Sequence, residues 1–259
     1  LFKAQGHEPI SSLIDEECSF IHANTELTKA AEQLERSNLS ALPIVDDNHI
    51  LLGRFHAGLA METWRLEHEA QQMATAGLNE ESDLFAPVKR SAATRGIWLG
   101  INLLTAFLAS AFIGLFEATL QQVVALAVLM PVVASMGGIA GSQTLTLIVR
   151  GLALGQITRS NLKSLLSKEL KVGGLNGILW SIVIGVVTLW WFESPMLGLV
   201  IGLAIIVNIV MAALSGVLIP VLLDKLRIDP ALSGSVILTT VTDIAGFVAF
   251  LGLGTLLLI

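Results

Sequence analysis

The stretch that decides the fold is PALSGSVILTTVTDIAGFVAFLGLGTLLLI, residues 230–259, which carries a single charge, Asp243. A bilayer core about 30 Å thick is crossed by about 20 helical residues. The run is therefore long enough to span, and it places an acid near mid-membrane. Such an acid costs at least about 2.5 kcal/mol and faces a cavity, a partner or an ion path. No other span reads with an acid at its middle. Ser235, Thr239 and Asp243 recur every four residues and share a helix face, with Thr242 and Gly246 beside it. Hydroxyl, carbonyl and carboxylate oxygens suit a hard cation. The residues alone leave three readings of Asp243 open: a cation path, a proton relay and a structural polar pair.

The 259-residue chain is 54% hydrophobic, and several uncharged runs exceed what a span requires. Residues 1–95 hold 8 basic and 15 acidic side chains, a net of −7, against 7 and 6 in residues 96–259, a net of +1. This is an acidic soluble part followed by a membrane domain. The acidic balance excludes a nucleic-acid partner, whose phosphates need a basic surface. The one cysteine, Cys18, allows no intrachain disulfide. The opening residues do not read as a charged-then-apolar signal peptide, and a start at Leu1 reads as a piece of a longer protein. The histidines, His7, His22, His49, His56 and His68, lie in the soluble part without metal-ligand spacing. With no nucleophile–base pair or phosphate loop in view, an enzyme is not expected.

Residues 10–60 read as a small α/β module. A helix over residues 25–38 puts Leu27, Ala30, Ala31 and Leu34 on one face, with Thr25 as N-cap. ALPIV, residues 41–45, reads as a buried strand. Asp46, Asp47 and Asn48 then turn the chain into a second strand, residues 49–52, that Gly53 ends. The helix, "ALPIVDD" and "ILLGRF" together resemble a CBS module over about 50 residues. Such modules usually occur as tandem pairs, one complete copy is seen, and a docking or dimerising role is expected. Where adenine-nucleotide binders of that family carry an Asp, this chain has Leu59, which argues against a nucleotide cofactor. Residues 61–95 read as a connecting helix and acidic linker, with Glu80, Glu81 and Asp83 as candidate regulatory metal ligands beside the reading of a solvated face. Pro87 ends the helical pattern, and Lys89, Arg90 and Arg95 precede the first span.

Residues 96–259 read as an α-helical membrane domain of five transmembrane helices. The spans cover residues 96–116, a stretch within 118–149, 172–192, 195–223 and 231–259. Lys and Arg fall before span one, between spans two and three, and between spans four and five. The other two loops carry Glu117 and Glu193 but no Lys or Arg. The positive-inside rule then puts the N-terminus in the cytosol and the C-terminus outside, in a multi-pass protein of the cell inner (plasma) membrane. Residues 161–171 read as an amphipathic helix with Leu162, Leu165, Leu166 and Leu170 on its apolar face. It would lie on anionic lipid or under the acidic soluble part. In span two, Ala134, Gly138, Ser142 and Thr146 recur every four residues, and Pro131 with Gly137 and Gly138 can bend or open the helix. Helix packing explains that spacing as well as a pore does.

The same residues are similar to the membrane domain of the MgtE family of magnesium channels and transporters. The likeness runs through "INLLTAF" (101–107), "FEATL" (116–120), "MPVVASMGG" (130–138), "QTLTLIVRGLALG" (143–155) and "DPALSGSVILTTVTDIAGF" (229–247). It implies a homodimer with a pore for divalent cations on its two-fold axis, lined by spans two and five. Asp243, with Thr239 and Ser235, would meet the ion. Ala134, Gly137, Gly138, Ser142, Thr242 and Gly246 would line the pore. Two positions depart from the family pattern: Ile139, where Asn is usual, and Val236, often Pro.

The expected function is passage of hydrated Mg²⁺, since Mg²⁺ sheds its water reluctantly and keeps several waters when bound. Glu117 is read either as an attractor of cations at the outer mouth or as an interfacial charge, and gating by cytosolic Mg²⁺ is a further expectation. The rival functions are an H⁺- or Na⁺-coupled divalent-metal transporter and a non-transporting membrane sensor.

Overall fold

The computed structural model describes residues 19–75 and 87–259. The chain divides between Gln72 and Met73 into two compact units.

The first unit contains β1 (Ile21–His22), α1 (Leu27–Ser37), β2 (Ala41–Val45), β3 (Leu51–His56) and most of α2 (Ala57–Thr75). β1 runs parallel to β2, as a strand–helix–strand crossover allows, and β3 returns antiparallel with Leu42 opposite Phe55. Ala30, Ala31 and Leu34 of α1 close the core over Ile21, Leu42, Phe55 and Ala60. The expected α/β module is present, with three local corrections. Leu27 lies exposed on the first turn, off the buried face. Glu26, not Thr25, holds the N-cap position and makes no side-chain cap. Gly53 does not end the second strand but pairs with Ile44 inside it. The strand starts later than expected because Asp46 extends the turn: its Oδ1 accepts the N–H of Asn48 (3.0 Å) and of Ile50 (2.7 Å). His49 takes a left-handed conformation, φ 59°.

The second unit holds α3 (Val88–Gly114), the short α4 (Glu117–Gln122), α5 (Val124–Ala153), α6 (Leu162–Phe192), α7 (Pro195–Lys225) and α8 (Pro230–Leu258). All but α4 are long and apolar enough to cross a membrane, giving the five expected spans. Two boundaries differ from the expectation. α3 starts directly after Pro87, so Lys89, Arg90 and Arg95 sit within it rather than ahead of it. Residues 162–171 are no separate interfacial helix but the first turns of α6. Leu162, Leu165 and Leu166 pack on Ile148, Val217 and Val221 of α5 and α7, so protein rather than lipid covers that apolar face. α5 runs unbroken through Pro131; the proline lacks an N–H, which leaves the Ala127 carbonyl without its ladder partner.

Helix α7 is the spine of this unit. It is apolar all round, as a buried helix must be, and packs against α5, α6 and α8. Pro195 and Pro230 open α7 and α8 at their first positions, where a missing N–H costs nothing. Ser194 Oγ and Asp229 Oδ1 accept the next free N–H groups, from Leu197 at 3.3 Å and Ala231 at 2.8 Å. Small residues let the backbones touch. A Cβ placed on Gly198 would lie 2.7 Å from the Gly185 carbonyl oxygen, and one on Gly216 would lie 3.0 Å from the Gly141 carbonyl.

These contacts also set directions. Gly185 meets Gly198 and Gly173 meets Ala213, so α6 and α7 are antiparallel. Gly141 meets Leu238 and Gly254 meets Leu126, so α5 and α8 are antiparallel as well. The α5–α6 and α7–α8 connections, with their basic residues, therefore share one end. α4 lies at the other end, tied to α8 by the Thr119 and Thr255 hydroxyls 2.8 Å apart.

Two substitutions test this packing. Gly198→Ala drives a methyl into the Gly185 carbonyl and is expected to cost about 1–3 kcal/mol, read as a fall of several degrees in the melting temperature of detergent-solubilised protein. Gly174→Ala, which meets nothing within 4 Å among the described residues, leaves it unchanged. In the first unit, Asp46→Ala removes the acceptor of two backbone N–H groups. Amide exchange at Asn48 and Ile50 is expected to accelerate roughly tenfold, for about 1.4 kcal/mol of local stability.

Candidate functional site: the Asp243 face of α8

Helix α8 carries two stripes of four-residue period. Gly234, Leu238, Thr242, Gly246, Phe250 and Gly254 are buried. They pack on the rest of the bundle: Gly234 faces Leu145, and Gly254 faces Leu126 of α5. One position further along lies the second stripe, Ser235, Thr239 and Asp243. Here Ser235 and Asp243 are half-buried and Thr239 is exposed, so the stripe stays open on the surface of the single chain. The Thr239 hydroxyl donates to the Ser235 carbonyl oxygen at 2.8 Å, which leaves the lone pairs of Thr239 Oγ1 free to accept from a hydrated ion. The Thr242 hydroxyl donates to the Thr239 carbonyl at 3.0 Å and is itself fully buried.

α5 shows the same division. Ala134 and Gly138 are half-buried and Ser142 is exposed. A Cβ on Gly138 would meet nothing within 4 Å among the described residues, whereas one on Gly137 would collide with the side chain of Asn208. The residues expected to line a pore thus fall into two groups. Ala134, Gly138 and Ser142 lie on a face that its own chain leaves open. Gly137, Thr242 and Gly246 are buried between helices of one chain.

Among the described residues no three His, Cys, Asp or Glu side chains come together as a metal cage. Asp243 brings one carboxylate. Glu117 lies exposed on the first turn of α4, accepting from Gln121 Nε2 at 3.1 Å, at the end of the unit opposite the basic connections. Glu80, Glu81 and Asp83 lie outside the described residues.

Two polar groups escaped the reading of the sequence. Asn208, in the middle of α7, is fully buried and donates from Nδ2 to the Val133 carbonyl of α5 at 2.7 Å. Its isolation among apolar residues was the available signal. Glu169 on α6 is 5% exposed. One oxygen stands 3.5 Å from the Thr144 hydroxyl and the other 3.5 Å from Lys168 Nζ. It lines a cavity of about 410 Å³ between α5, the α5–α6 connection and α6, with Gln156, Asn161 and Ser164. The neighbouring Lys163, Lys168 and Lys171 made this segment read as a helix lying on anionic lipid or under the soluble part, and only the tertiary fold turns Glu169 inward.

Comparison with known proteins gives the same direction. Residues 130–253, which span α8 up to Leu253 and most of α5, match the family model MgtE, described as a divalent cation transporter. The chain is 29% identical to the magnesium transporter MgtE of Bacillus subtilis over 88% of its length, covering 50% of that protein. It is 29% identical to its namesake in Thermus thermophilus over its whole length, covering 58% of that protein, and 27% identical to that of Enterococcus faecalis over 95% of its length. The chain spans about half the length of the curated relatives it matches. Five apolar helices and these relatives make it a multi-pass membrane protein. Over residues 130–253, the segment that holds both the Asp243 stripe and the open face of α5, the chain is similar to the MgtE family of divalent cation transporters.

Proposed function

We propose that this chain carries Mg²⁺ across the inner membrane, as a largely hydrated ion, through a pore formed by two copies. The observation that carries the reading is the open stripe of α8: Asp243, the one charge of that helix, stands with Ser235 and Thr239 on a face that its own chain leaves uncovered. A single carboxylate is a poor site for a small divalent ion. Two Asp243 carboxylates facing each other across an axis, with Ala134, Gly138 and Ser142 of α5 alongside, would hold one through its waters. Mg²⁺ favours such outer-sphere binding because it dehydrates reluctantly, and contacts made through water let the ion leave again. The relatives named as magnesium transporters support this choice of ion.

The orientation follows from charge. Arg150, Arg159, Lys163, Lys225 and Arg227 gather at one end of the bundle, which the positive-inside rule assigns to the cytosol. The N-terminal α/β module, read as CBS-like, would then be cytosolic, and Glu117 would sit at the outer mouth. Glu80, Glu81 and Asp83, just ahead of α3, would bind cytosolic Mg²⁺ and close the pore when it is plentiful, since a divalent ion bridges acids that repel one another without it.

Purified protein in liposomes tests the first claim. Wild type is expected to admit Mg²⁺ at fixed voltage with no H⁺ or Na⁺ gradient. Asp243→Asn is expected to reduce that entry roughly tenfold or more, an ion-stabilisation loss of about 1.4 kcal/mol or more. Entry that needs an H⁺ or Na⁺ gradient would replace the channel with a coupled transporter, and no entry under any gradient would leave the sensor. For gating, the triple variant Glu80→Gln, Glu81→Gln, Asp83→Asn is expected to lose inhibition by Mg²⁺ on the module's side. Inhibition of wild-type strength would remove these residues from regulation.

A further inference from the structure

Asn208 joins three helices at one point. It sits midway along α7, fully buried, where lipid-embedded protein has no water to satisfy a polar group. Nδ2 donates to the Val133 carbonyl of α5, and Oδ1 finds no donor among the described residues. The amide is wedged between two glycines. A Cβ on Gly246 of α8 would lie 2.7 Å from Nδ2 and 2.9 Å from Cγ, and one on Gly137 of α5 would collide with the same group. Any residue but glycine at either place would push its helix off the amide.

Packing alone does not call for an amide here. A leucine branches at the same carbon and would bring no oxygen in need of a donor, although it is the larger side chain. What the amide adds is a directional tie to one carbonyl, and so one defined height and spacing for the helices around it. Those helices are the two that carry the open face. Gly137 adjoins Gly138, and Gly246 lies one turn beyond Asp243.

We infer that Asn208 is a positioning residue that sets the spacing of α5 and α8, and through it the discrimination between divalent cations at Asp243. The inference rests on the transport reading above and deepens it. The amide acts through the two backbones and does not touch the ion. Its tie to Val133 holds α5 to α7, while its bulk between Gly137 and Gly246 holds α5 and α8 apart.

The test compares entry of Mg²⁺ with entry of Ca²⁺ into liposomes at fixed voltage, alongside the melting temperature of each variant. Asn208→Leu, whose larger side chain costs some packing, is expected to fold and to change the Mg²⁺/Ca²⁺ entry ratio by about tenfold. Gly246→Ala, which presses a methyl on the amide, is expected to change the ratio too. Asn208→Ala/Gly246→Ala removes both the press and the tie, so the melting temperature is expected to recover while the ratio stays off the wild-type value, since residues in contact couple non-additively. If bulk alone mattered, the ratio would return together with the melting temperature. An Asn208→Leu protein with the wild-type ratio overturns the inference while wild-type transport stands. If Asn208→Leu does not fold, the double variant decides, and a wild-type ratio in it overturns the inference. A wild-type protein that moves no ion overturns the transport reading and this inference with it.

Discussion

Contact of backbone with backbone is the constraint on which the membrane unit depends. In lipid the hydrophobic effect does not draw helices together, because acyl chains are as apolar as leucine, so association relies on close van der Waals approach. The α6–α7 pair achieves it with Gly173, Gly177, Ser181 and Gly185 on one helix against Ala213, Ile206, Gly202 and Gly198 on the other. α5 and α7 meet through Gly141 and Gly216, and α5 and α8 through glycines set against Leu238, Leu145 and Leu126. With α7 surrounded in this way, α5 and α8 are each left with one packed stripe and one free stripe.

That division puts the chemistry where it is. A carboxylate on the packed stripe of α8 would face apolar neighbours at a prohibitive cost, whereas one position round the helix it meets space that the chain does not fill. Asp243 occupies the second place and Thr242 the first. Thr242 is tolerable there because its hydroxyl bonds a carbonyl of its own helix. The fully buried Asn208 is the exception to this economy, and its tie to Val133 partly offsets the cost of its unpaired oxygen.

The two ends of the bundle differ as the loop charges require. One carries the basic α5–α6 and α7–α8 connections and the cavity into which Glu169 turns. The other carries Glu117 and Glu193, with α4 folded against the end of α8 through Thr119 and Thr255. Glu193 takes a left-handed conformation, φ 51°, as α6 ends and the chain reverses into α7.

Much of this was legible in the sequence, because a bilayer reads little more than length and polarity. Five apolar runs, the α/β module before them and the charge asymmetry of the loops follow from composition and period alone, as does the isolation of Asp243 in the last run. Element ends were less legible. Gly53 looked like a strand terminus until the Asp46 turn moved the register, and the leucines of residues 162–170 looked interfacial until α5 and α7 covered most of them. The tertiary structure alone decided which side of each helix is used. Four-residue spacing marks a stripe but not its partner, so Gly137 was expected to line a pore together with Gly138, and Thr242 together with Asp243. Only the position of α7, with Asn208 pressed against Gly137 and Gly246, separates the packed face from the open one, because which glycine admits a neighbour depends on where the neighbouring helix lies.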